Sequence, residues 1–164
     1  MTAQISFQKG RGKPDTLSVR RPDGSVTWSQ GNAGPAYHDL AHYVVETTLG
    51  CKQAFFGIIN QGYAIDDFVL PRHRRPDTLK IANLPAEAMQ VEYVVNRLQL
   101  EHFNGAADSD FIPSLRQRLA EKNLPFPAQL DERTLTQMRE RYRALVAQFD
   151  ALPPGETLTL PFAV

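Results

Sequence analysis

The chain has 164 residues, enough for one domain around one core. Apolar residues make up 42%, which argues against disorder, and 18 Lys plus Arg balance 18 Asp plus Glu. That zero net charge gives no whole-chain attraction to nucleic acid or to an anionic membrane, so neither is an expected partner. The lone cysteine, Cys51, excludes an internal disulfide and a cysteine-rich zinc site. The opening MTAQISFQKGRGK lacks the apolar run of a signal peptide, and no stretch approaches the ~20 apolar residues that span a bilayer. The expected location is a reducing cytoplasm.

Residues 3–8 and 16–21 alternate polar and apolar, with Leu17 and Val19 on one face. Between the second run and Val26-Thr27-Trp28 stands Arg21-Pro22-Asp23-Gly24-Ser25. There proline presets one turn dihedral and glycine accepts a positive φ, so a hairpin is expected. A Gly-Asn-Ala-Gly-Pro loop over 31–35 follows. The period then changes to that of a helix over Ala36 to Leu49, ended by Gly50. Residues 53–61 read as a short buried helix or turn, and Asp66 through Pro76 as a surface loop.

A second long helix is expected over 86–103, with Val91, Val94, Val95 and Leu98 as its apolar stripe. A third covers 111–122. A fourth starts at Asp131, a good N-cap, with an apolar seam of Leu135, Met138, Tyr142, Leu145, Phe149 and Leu152. That seam serves either the core or a dimer contact, and a chain of this size needs the area for its core. Pro153-Pro154-Gly155 ends the helix, and Thr157 to Phe162 alternates as a final strand. A hairpin alone is marginal, so the sheet must pack on the helices. The expected fold is α+β: about four helices on a small antiparallel sheet built from an N-terminal hairpin and a C-terminal strand, in a single domain over 1–164.

The first helix carries more polar chemistry than packing requires. His38 and His42 lie about 40° apart around the axis and about 6 Å apart along it, so both imidazoles can reach one ion. Asp39, three residues before His42, can orient or charge its ring. Glu46 continues the row about 12 Å from His38, and helical side chains lean toward the N-terminus. Glu46 therefore suits a bond to the His42 imidazole better than direct ligation. A third ligand must come from elsewhere, and Glu92, which interrupts the apolar stripe of the second long helix, is the best placed; His102, Asp66 and Asp67 are weaker. The site so drawn has His38, His42 and Glu92 on a divalent metal, zinc favoured, with Asp39 and Glu46 as the acids of a hydrolase-like centre.

The same row has a plain reading. Acids are favoured near a helix start, and histidines four apart serve equally as a buried hydrogen-bond network in a structural or interaction protein, such as a homodimer. The aromatic residues Tyr37, Tyr43, Phe55, Phe56 and Tyr63 could wall a pocket for a small apolar or aromatic ligand or belong to the core. Arg72-His73-Arg74-Arg75 reads as a solvated basic surface with no aromatic interleaving for base stacking. Gly10-Arg11-Gly12-Lys13 lacks the spacing of a phosphate-binding loop. Cys51, beyond the end of the first helix, reads as a packing residue.

The run HDLAHYVVETTLG followed by AFFGIINQGYAIDDF resembles a group of small bacterial proteins that share an HDLxHYxVE segment, over roughly residues 37–68. That resemblance implies a bacterial source and no particular reaction. The HDLAH portion is also similar to the HDxxH zinc motif of a ubiquinone-biosynthesis family. That family's motif continues to a glutamate twelve residues after the second histidine, where this chain has Ala54, so its zinc assignment does not carry over.

Overall fold

Alternation in the two end segments builds one sheet. The computed structural model describes residues 2–31 and 36–164; of the expected loop over 31–35, residues 32–35 lie outside the described residues. Strands β1 (Ala3–Gln8), β2 (Thr16–Arg20), β3 (Val26–Gln30) and β4 (Thr157–Phe162) pair antiparallel in the order β3-β2-β1-β4. Period-2 geometry puts Ala3, Ile5, Phe7, Leu17, Val19, Leu158 and Phe162 on one buried face. The register matches Ile5 with Val19 and Leu160, and Phe7 with Leu17 and Leu158. The opposite face is mostly polar, with Val26 and Trp28 exposed on the edge strand β3. The β2–β3 turn works as its residues dictate. Gly24 takes φ +85°, and Asp23 Oδ1 accepts from the Ser25 amide at 2.9 Å.

Among the described residues five helices share one core with the buried face: α1 (Tyr37–Leu49), α2 (Phe55–Asn60), α3 (Ala86–Asn104), α4 (Phe111–Glu121) and α5 (Glu132–Asp150). The α+β architecture, with the N-terminal hairpin and C-terminal strand in one sheet, is as expected. Helix α1 is central. Every residue from Leu40 to Glu46 is buried, because the helix packs on α3 and α5 and meets the sheet through the Tyr43 hydroxyl, which donates to the Pro161 carbonyl at 2.9 Å. A helix enclosed on nearly all sides must bury its polar residues too, and this is what forces His42 and Glu46 inside. The Tyr37 hydroxyl donates to Asp150 Oδ1, and the Tyr142 hydroxyl to the Tyr37 carbonyl, tying α1 to α5.

Two sequence expectations need correction. The buried seam of α5 is Leu135, Met138, Tyr142, Val146 and Phe149. Leu145 and Leu152 are only half-buried, because a period of 3.6 carries the face from Tyr142 to the fourth residue on rather than the third. The seam belongs to the main hydrophobic cluster and is core. The expected surface loop from Asp66 also begins inside a 3-10 turn, Ile65–Phe68. There Ile65 is buried, its amide donates to Thr27 Oγ1, and Asp67 Oδ2 accepts from the Ala64 amide. Among the described residues no helix is long and apolar enough to cross a membrane.

Candidate metal centre

The centre forms where α1 and α3 face each other. Among the described residues, His38, His42 and Glu92 bring one ligand atom each to within 4.8 Å of one another. His42 Nε2 lies 3.1 Å from Glu92 Oε1, and His38 Nε2 lies 3.9 Å from Glu92 Oε2. In a tetrahedral site with zinc–ligand bonds near 2.0–2.1 Å, donor atoms sit about 3.3 Å apart. The observed separations bracket that value, and the side chains that must adjust, His38 and Glu92, are each 44% exposed. His42 is not free to adjust: it is 2% exposed.

Each histidine is held from behind. Buried Glu46 accepts from His42 Nδ1–H at 3.2 Å, and Gln99 Oε1 accepts from His38 Nδ1–H at 3.1 Å. A proton fixed on Nδ1 leaves the Nε2 lone pair for a ligand, so both rings present the same atom toward Glu92. The sequence placed Glu46 behind His42. It did not find Gln99, although Gln99 falls two turns after Glu92 on α3, a spacing that puts the two on one face.

Glu46 also holds the next helix. Gly50 ends α1 at φ +69°, and the chain turns back so that the first amides of α2 point at the Glu46 carboxylate. Oε1 accepts from the Phe56 amide and Oε2 from the Gly57 amide, both at 3.1 Å. Ala54, the N-cap of α2, has no side-chain acceptor to offer, so Glu46 supplies it from α1. Gly57 has to be glycine here, since a Cβ would overlap the backbone carbonyl of Lys52.

Electrostatics follow from this packing. Burial opposes a charged His42, but Glu46 and Glu92 on either side outweigh it and push its pKa up to about 9. Burial pushes the Glu46 carboxyl up, against the His42 ring and the two amides that favour the carboxylate. Burial also opposes the charge on Glu92, but the imidazoles of His42 and His38 hold its pKa below the usual value. A neutral His42 that donates from Nδ1 would aim a lone pair at the Glu92 carboxylate. The geometry therefore calls for a positive charge between them, either a proton on Nε2 or a cation.

Asp39 does not sit behind a ring. No hydrogen bond joins it to either imidazole among the described residues; it lines a separate cavity beside Phe55. The proposed orienting role falls to Glu46 alone. The weaker ligand choices also lie elsewhere. His102 packs on Tyr142, its ring centroid 5.0 Å away; Asp67 caps the 3-10 turn; Asp66 is exposed beside that same cavity. Of the aromatic residues near the histidines, Tyr43 and Phe56 are core, while Phe55 lies against the His42 ring at 5.2 Å.

Arg72, His73 and Arg74 are exposed, and Arg75 is partly tied down by donating to the Leu70 carbonyl. Cys51 is buried, and burial with Glu87 and Glu46 nearby pushes its thiol well up, as suits a packing residue. It should resist a thiol reagent in the folded protein and react on denaturation, as a timed labelling assay with and without urea would read. Rapid labelling of the folded chain would contradict that placement.

Comparison with protein families, curated proteins and solved structures finds no match to this chain.

Proposed function

We propose that this is a small metal-binding protein, with His38, His42 and Glu92 as the ligands of a divalent first-row ion. One observation carries the reading. Both imidazoles are anchored through Nδ1, by Glu46 and by Gln99, so that both Nε2 atoms face one carboxylate. A structural histidine needs one satisfied nitrogen; two rings with matched tautomers converging on an acid is the arrangement of a ligand set with its supporting shell.

Two nitrogens and one carboxylate suit zinc or iron(II) better than magnesium or calcium, which prefer oxygen. Zinc is favoured. Charge supports the count: Glu46 and Glu92 together match a divalent ion once His42 gives up its proton. When bound, such an ion activates water or polarises a carbonyl or phosphoryl group, so the enzyme reading is a hydrolase-like one. In that reading Glu92 and the two rings hold the ion on the half-exposed side, and Glu46 keeps His42 fixed and basic. The unpaired Cys51 accords with a cytoplasmic location.

A second reading keeps one observation of its own. The 3.1 Å contact between His42 Nε2 and Glu92 closes a carboxylate–imidazolium–carboxylate chain with no metal, as a structural or interaction protein would use it.

Elemental analysis of tag-free protein, purified without chelator and then offered zinc, separates the two. Near-equimolar metal is expected in the wild type and little in a His38→Ala/His42→Ala variant that still folds. Glu92→Gln should weaken zinc binding more than tenfold. Protein that takes up no ion, or variants that keep it, would leave the structural network as the function of the row.

A further inference from the structure

A cavity of about 620 Å3 opens beside the centre, between the inner side of β2–β3 and the 3-10 turn at Ile65–Phe68. That volume falls within the roughly 300–1,000 Å3 of small-molecule pockets. One side of it is apolar, formed by Leu17, Phe55, Ile65, Phe68 and Leu70, while Ser29 and Gln30 of β3 add polar groups. The Phe55 and Phe68 rings meet edge to face at 5.0 Å and form a rigid aromatic wall. Two carboxylates, Asp39 and Asp66, stand on this lining, and no cationic side chain is among the described residues that form it.

We propose that this cavity binds an apolar or aromatic molecule bearing a positively charged amino group, with Asp39 as its counter-ion. The chemistry selects that class. An anionic ligand would meet two carboxylates and no cationic side chain on the described lining. A neutral apolar ligand would cover Asp39, which is already half-buried, without giving it a partner. An ammonium on an apolar body satisfies both surfaces at once, the carboxylate by a charged hydrogen bond and the walls by contact. The tight turn that builds one side of the cavity is fixed by Asp67, which caps Ala64, and by Thr27, which accepts from the Ile65 amide. That side of the cavity is therefore preformed rather than assembled on binding. The proposal does not depend on a metal at His38, His42 and Glu92, although Phe55 is shared between the cavity and the His42 ring.

The test is a titration of the 15N-labelled full chain in EDTA, so that the metal reading has no bearing on the result. Three probes share one aromatic body: 2-phenylethylamine, 2-phenylethanol and 3-phenylpropionate. Saturable shifts are expected for the amine at Leu17, Ser29, Asp39, Phe55 and Phe68. The alcohol should bind at least about tenfold more weakly, as loss of a charged hydrogen bond implies, and the acid not at all. In Asp39→Asn the preference for amine over alcohol should vanish while alcohol binding stays. The proposal is overturned if the amine gives no saturable shift or if the shifts fall elsewhere. It is equally overturned if alcohol or acid matches the amine, or if folded Asp39→Asn keeps the preference. Should that variant not fold, the ranking of the three probes on the wild type decides.

Discussion

Glu46→Ala is expected to destabilise the fold by about 3–5 kcal/mol, the range for removing one member of a buried charged network. Three donors converge on this carboxylate: His42 Nδ1–H and the amides of Phe56 and Gly57. Alanine leaves all three facing a void in a region with no water path, since Glu46 is 0% exposed. It also unpins α2, whose Phe56 ring packs against Phe7 and Phe162 of the sheet. Damage at Glu46 therefore spreads from α1 through α2 into β1 and β4.

Glu46→Gln makes the interpretation specific. An amide oxygen can replace Oε1 and still accept from His42 and Phe56, but its NH2 then meets the Gly57 N–H, donor against donor. The cost should fall to about 1–3 kcal/mol. Urea denaturation of the two variants reads the difference. If both stay within about 0.5 kcal/mol of the wild type, as surface substitutions do, the carboxylate is not the tie between α1 and α2.

The difference in what could be read from sequence follows from range. The helix of residues 37–49, its Gly50 cap, the Asp131 cap of α5 and the Pro-Asp-Gly turn are all set by neighbours within a few residues, and the structure has them where periodicity and capping rules put them. The row of His38, His42 and Glu46 is likewise a matter of helical pitch. Glu92 was accessible because an acid breaks an apolar stripe. Phase errors began where local pattern left a choice: Leu145 and Val146 are both apolar and adjacent, and only the neighbouring helices decide which one points inward.

What lay beyond sequence is of the tertiary kind. Nothing local says that Glu46 will receive the amides of Phe56 and Gly57, since that depends on how the chain doubles back after Gly50. Asp39 shows the converse. Sequence proximity to His42 suggested an orienting acid, but at helical pitch its side chain leaves the histidine row and lines the cavity under Ile65–Phe68. Gln99 was legible in principle from its spacing to Glu92. A glutamine on a half-exposed helix face nevertheless carries no chemical signal until a histidine on another helix donates to it.

The metal-free protein should lose stability as pH rises from about 6.5 to about 9, and the zinc-loaded protein should stay nearly level. The sign follows from His42. Its pKa rises from 6.5 in the unfolded chain to about 9 in the fold, where Glu46 and Glu92 overcome the burial that opposes its charge. Below 6.5 both states hold the proton and the stabilisation is complete. Between the two values the unfolded chain has shed a proton that the folded protein retains, so the folded state binds more protons and stability falls with pH. At about 1.4 kcal/mol per unit, some 3 kcal/mol is at stake across the window. Zinc requires the neutral ring and displaces that proton, so its stabilising effect grows over the same range. Melting temperatures in EDTA and in zinc, taken at half-unit steps, should therefore diverge upward in pH. His42→Gln should flatten the metal-free curve. A wild-type curve in EDTA already flat from pH 6.5 to 9 would mean that His42 is neutral in the fold, and the case for a positive charge between His42 and Glu92 would fall with it.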